Sequence, residues 1–178
     1  MFPFRYMPKL VNVMHPDLKV QIVRDVNLQT YPFSDYFKGF EKVEAVKQIF
    51  GEKTADILSN LRVEFHGFRR GYMGVSEIDG HLFVSAIYLK TGDTIDIYLD
   101  VIHELVHVRQ FMEGKDLFES RYDYVERPTE IEAYRHAVDE ARRLGLSDTR
   151  ICQYLRTEWM TDDDLKRLAA ALNVKYHK

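Results

Sequence analysis

His103-Glu104-Leu105-Val106-His107 sets two imidazoles four residues apart around a carboxylate. On an α-helix that separation puts both rings on one face, one turn apart, where they can hold the same ion at about 2.0 to 2.1 Å. Glu104, about 100° further round, is too far to share the ion and near enough to serve a water beside it. The chemistry such a spacing points to is hydrolysis at a zinc ion.

A catalytic zinc site needs a third protein ligand and one position left open. No histidine follows at short range, since the next after His107 is His136. Arg127-Pro128-Thr129-Glu130-Ile131-Glu132-Ala133-Tyr134 offers two glutamates instead. If this segment is helical, Glu130 leads the row Ala133, Tyr134, Ala137, Ala141 and Leu144, which is the apolar side. Glu132 shares the solvated side with Arg135, His136, Asp139 and Arg143. With Thr129 as N-cap, Glu132 would close a capping box. The burial argument therefore favours Glu130 over Glu132 as third ligand. The alanine row lets this helix approach the His103/His107 helix closely.

The elements that must position these residues follow from periodicity. Residues 94 to 114, TIDIYLDVIHELVHVRQFMEG, read as a helix that is apolar nearly all round and so buried, with Asp93 or Thr94 as N-cap and Gly114 as terminator. Further helices are expected at about 129 to 144, 148 to 158 and 162 to 172, the last opened by a Thr161/Asp164 capping box. Upstream, 18 to 26 reads as a strand with Leu18, Val20, Ile22 and Arg24 on one side. Residues 40 to 50 read as a helix capped by Gly51, and 52 to 60 as a shorter helix. Runs at 61 to 68, 72 to 78 and 81 to 89, separated by the charged turn Arg69-Arg70-Gly71 and by Asp79-Gly80, read as a small antiparallel meander. The class expected is α+β: residues 1 to 92 mainly sheet with one or two helices, residues 93 to 178 helical, in one continuous domain.

HELVH followed after 22 residues by EIEAY resembles the gluzincin metallopeptidases, most closely in scale the minigluzincin-like and ImmA/IrrE-like peptidases. The resemblance implies a zincin-like fold, a small antiparallel or mixed sheet on an active-site helix. It implies His103, His107 and Glu130 as zinc ligands and Glu104 as the general base that acts on water attacking a peptide carbonyl. It also implies an edge strand at His81 to Leu89 that holds an extended peptide. Where the family carries an Asp that orients a ligand histidine, this chain has Tyr134, with Asp100 one turn before His103 as a partial substitute. Tyr122, Tyr124 and His136 are available as oxyanion donors. A competing reading is a zinc-stabilised binding or regulatory module with little or no turnover.

Composition is consistent with this chemistry. The 178 residues are 46% apolar and carry 25 basic against 28 acidic side chains with no dense Lys/Arg block, so nothing points to nucleic acid. The N-terminal segment has no signal-peptide core, and no stretch approaches the roughly 18 apolar residues of a membrane span. The lone Cys152 precludes an internal disulfide and points to a reducing, cytoplasmic setting; it also means that zinc here must be held by nitrogen and oxygen. His15, His66 and His81 lack ligand-like spacing, and Asp162-Asp163-Asp164 fits a helix start better than a calcium site. The partner expected is a peptide or protein substrate; oligomeric state is not encoded in any pattern found.

Overall fold

The computed structural model describes residues 18–68 and 71–176. The N-terminal segment, His15 and the Arg69-Arg70 turn lie outside these residues. In chain order the elements are β1 (Gln21–Ile22), β2 (Thr30–Pro32), α1 (Phe33–Tyr36), β3 (Phe37–Lys38), α2 (Glu44–Phe50), α3 (Thr54–Asn60), β4 (Arg62–His66), β5 (Met73–Val75), β6 (Leu82–Ser85), α4 (Ala86–Thr91), α5 (Thr94–Met112), α6 (Pro128–Arg143), α7 (Asp148–Leu155) and α8 (Asp162–Ala171). The class is α+β, but the described residues up to 92 are not mainly sheet: four short helices, α1 to α4, are interspersed with the small strands there, and the longer helices α5 to α8 follow.

The sheet differs from a meander. Its order is β2-β4-β6-β5, with β4 and β6 parallel and the outer pairs antiparallel; β1 and β3 form a separate two-stranded ribbon. The reason lies in burial. In β6 Leu82 and Val84 are wholly buried, so this strand takes an interior place beside β4, where Val63 and Phe65 pair with Leu82 and Val84 on one face. The shorter β5, with a glycine at its centre, is left at the edge. The expected edge strand at 81 to 89 is therefore corrected twice: β6 is internal, and residues 86 to 91 are helical. The Asp79-Gly80 hairpin does form, with Gly80 at φ 75 and no room for a Cβ against the Phe111 ring.

Two further segments depart from their periodicity. Of residues 18 to 26, only two pair as a strand, because the chain leaves the ribbon to carry Arg24 to the start of α5, where its guanidinium donates to Gly92 O at 3.0 Å and Thr94 Oγ1 at 2.8 Å. The helix expected over 40 to 50 is broken at Val43, which is extended at ψ 127°. A 3-10 turn before the break places Phe40 among Phe33, Phe37 and Tyr98, and α2 then buries Val46 and Ile49 on its own. Gly51 ends α2 at φ 62 as expected.

The helix α5 is the centre of the molecule: 13 of its 19 residues are buried, on every side. Asp93 caps it, accepting from the N–H groups of Ile95 and Asp96. It packs on α2, β5 and, most extensively, α6. Ala133, Ala137 and Ala141 of α6 are wholly buried, and small side chains in that row permit the close approach. α8 opens with the Thr161/Asp164 capping box, and its three acidic residues sit in the first turn. Among the described residues no helix is long and apolar enough to cross a membrane.

Candidate metal centre

α5 presents His103 and His107 one turn apart, and the first turn of α6 presents Glu130 to both. The Nε2 atoms of the two histidines lie 3.0 Å apart, and Glu130 Oε2 lies 3.3 Å from His103 Nε2 and 3.4 Å from His107 Nε2. All three side chains are buried and form a group that can hold a metal ion. A tetrahedral ion bound at about 2.0 to 2.1 Å separates its ligands by about 3.3 to 3.4 Å, so this triangle has the size of one face of such a site. The donor set, two nitrogens and one oxygen, leaves a fourth direction open.

Glu132 is not brought to the imidazoles. α6 begins one residue before the expected N-cap, because Pro128, with its fixed φ and no N–H, takes the first helical position after Arg127. Thr129 is therefore inside the helix and the expected Thr129/Glu132 capping box does not form. Glu132 instead accepts from Arg109 Nη2 at 2.6 Å, Gln110 Nε2 at 2.7 Å and Lys115 Nζ at 3.2 Å.

Gln110 is the residue that motif reading missed. Its Nε2 donates to Thr129 O at 3.0 Å as well as to Glu132, which fixes the amide so that Oε1 faces His107 Nδ1 at 2.7 Å. His107 Nδ1–H donates to that oxygen, turning the Nε2 lone pair of the neutral ring toward the other two ligands. A spacing of three residues after His107 on one helix was the available signal. If the group holds a metal ion, Gln110→Ala should weaken that binding by roughly 10- to 100-fold, read with zinc by competition with a chromogenic chelator; unchanged affinity would remove Gln110 from the site.

His103 lacks the equivalent support. Its Nδ1 has no hydrogen-bond partner among the described residues. Tyr134 meets His103 ring to ring, centroids 4.3 Å apart, while its hydroxyl pairs with the Tyr124 hydroxyl at 2.9 Å. Asp100 accepts instead from the Tyr88 hydroxyl at 2.5 Å, with Tyr154 against the same carboxyl. Neither Tyr134 nor Asp100 hydrogen-bonds to His103 Nδ1.

The electrostatics follow from burial and proximity. Burial disfavours the Glu130 anion, yet its contacts with both imidazoles outweigh that and hold it well below the usual carboxylate range. Burial lowers His103. Burial would lower His107 too, but Glu130, Glu104 and Gln110 raise it to about 9, so proton and metal compete for the same lone pair. Glu104 is pushed up to about 8, first by burial, with His107 opposing and Glu130 and Asp100 adding to it. Its Oε2 has no hydrogen-bond partner among the described residues.

Glu104 and His103 line a cavity of about 230 Å³ with Asp100, Tyr88, Tyr124 and Trp159. Of Tyr122, Tyr124 and His136, none of which the sequence singles out as catalytic, only Tyr124 reaches it; Tyr122 is exposed elsewhere, and His136 lies in a groove between α2 and α6. Burial lifts Asp100 to about 7, against 3.9 for an exposed aspartate. Its contribution to stability is thus fully present below pH about 4 and is lost as pH rises through about 7. Asp100→Asn does not titrate, so from pH 4 to 8 it should gain on the wild type by on the order of 2 to 4 kcal/mol in urea melts with chelator present. A pH-independent difference would show that Asp100 titrates normally.

Comparison with protein-family models, curated proteins and solved structures finds no match to this chain.

Proposed function

We propose that the chain is a zinc-dependent metallopeptidase with a zincin-like arrangement, working in the cytoplasm on peptide or protein substrates. The observation that carries this reading is the buried His103, His107 and Glu130 triangle beside an unpartnered Glu104 carboxylate, with His103 and Glu104 lining one cavity. A zinc ion held by the three side chains would supply Lewis acidity and a water acidic enough to attack at neutral pH. Glu104 Oε2 takes a proton from the attacking water and passes it to the leaving amine. The Tyr124/Tyr134 hydroxyl pair shares one hydrogen bond, which leaves one O–H to donate to the developing oxyanion. Gln110 holds His107 in its binding tautomer.

One observation favours the alternative, a zinc-stabilised binding module: His103 Nδ1 has no partner to raise the basicity of its ring. Elemental analysis and a peptide-cleavage assay separate the two. A peptidase carries stoichiometric zinc and hydrolyses peptides in a reaction that a chelator stops and zinc restores. Stoichiometric zinc with no cleavage of a broad peptide mixture supports the module, and absence of zinc overturns both.

A further inference from the structure

The cavity beside Glu104 has features that the hydrolytic reading does not use. One turn of α5 before the metal ligands stands Asp100, whose carboxyl accepts from Tyr88 and makes no ion pair among the described residues. Apart from Glu104, which the hydrolytic reading uses, the other acids and bases at the cavity are matched: Asp96 is bound by Arg150 at 2.5 Å, and Arg156, at the rim, by Asp162 at 2.6 Å. The walls are aromatic. Tyr72 and Tyr88 lie 4.6 Å apart between ring centroids, Tyr134 and Tyr154 6.4 Å, and Tyr124 and Trp159 6.0 Å. At about 230 Å³ the space is below the usual range of whole-ligand pockets, so it suits a single side chain.

An acid with no cation of its own at an aromatic-walled cavity is complementary to a cationic guest, whose charge would displace the proton that burial retains, and which would donate a charge-assisted hydrogen bond to the resulting carboxylate and be attracted to the ring faces. Residues three and four apart on a helix lie about 5 to 6 Å apart at Cβ, so Asp100 is within one side chain's length of Glu104 and His103. We propose that this cavity is a specificity pocket for a lysine or arginine side chain of a peptide substrate, with Asp100 as the residue that selects positive charge. This inference rests on reading the cavity as the substrate cleft of the proposed peptidase.

Trp159 lines the cavity and is the single tryptophan of the chain, which gives a binding readout independent of turnover. Zinc-loaded wild-type protein is titrated with N-acetyl-lysine amide, N-acetyl-arginine amide and the neutral N-acetyl-norleucine amide while tryptophan emission is followed. The cationic compounds should bind roughly 10- to 100-fold more tightly than norleucine. Asp100→Asn, which keeps an acceptor and loses the charge, should abolish that difference. Equal response to the cationic and neutral compounds by the wild type overturns the inference without recourse to any variant, and so does a preference that survives in a folded Asp100→Asn protein. Peptide cleavage separates the two readings. Hydrolysis with no bias for Lys or Arg beside the scissile bond overturns the pocket alone, whereas selective binding of lysine amide with no hydrolysis overturns the peptidase and leaves the pocket standing.

Discussion

Glu104→Gln should reduce peptide hydrolysis by the zinc-loaded protein roughly 100- to 10,000-fold while leaving its zinc content unchanged. The side chain keeps its shape, and its amide cannot take the proton that the attacking water must lose. Zinc retention follows from position: the triangle of His103, His107 and Glu130 closes without Glu104, whose Oε2 has no hydrogen-bond partner among the described residues. Folding should not suffer, since Glu104 is 8% exposed and burial already penalises its charged form. The two readouts, zinc by elemental analysis and turnover of a quenched peptide, must separate. A Gln variant as active as the wild type would remove Glu104 from the chemistry, and one that lost zinc would place it among the ligands.

The second large effect is on the metal itself. Glu130→Ala should weaken zinc binding by more than the roughly 10- to 100-fold that an outer-shell partner contributes, because two facing imidazoles would remain without their anion. Glu132→Ala should cost tenfold or less, through Gln110, whose amide it helps to hold. Zinc at 100 times its dissociation constant stabilises a protein by about 2.7 kcal/mol, so the zinc-dependent rise in melting temperature should vanish at that concentration in Glu130→Ala and persist in Glu132→Ala. The reverse order would exchange the roles of the two glutamates.

The second half of the chain was largely readable. α5 could be placed by its continuous apolar surface, Asp93 and Gly114, and α8 by its capping box, because these signals are local to the backbone they shape. Glu130 was separable from Glu132 because helical periodicity sorts a buried side from a solvated one. The capping box expected of Thr129 and Glu132 does not form, because Pro128 takes the first position of α6. The first half was less legible. Three short strand-like runs carry no mark of which pairs with which, and a parallel partner across an intervening strand is a decision of tertiary burial. The break at Val43 and the departure of the chain at Arg24 depend on contacts with residues far along the sequence, Tyr98 and Thr94 among them. The cavity was invisible for the same reason, since Tyr72, Tyr88 and Trp159 are brought together only by the fold.

That contrast has a consequence for assembly. The three ligand side chains come from two helices adjacent in sequence and packed on one another, so closing the loop between them costs little chain entropy. The strand β5 and Trp159, by contrast, reach the cleft from elements far from one another in the chain. The His103, His107 and Glu130 triangle thus rests on an αα unit of local contacts, whereas the aromatic walls of the cavity rest on contacts between residues far apart in the chain.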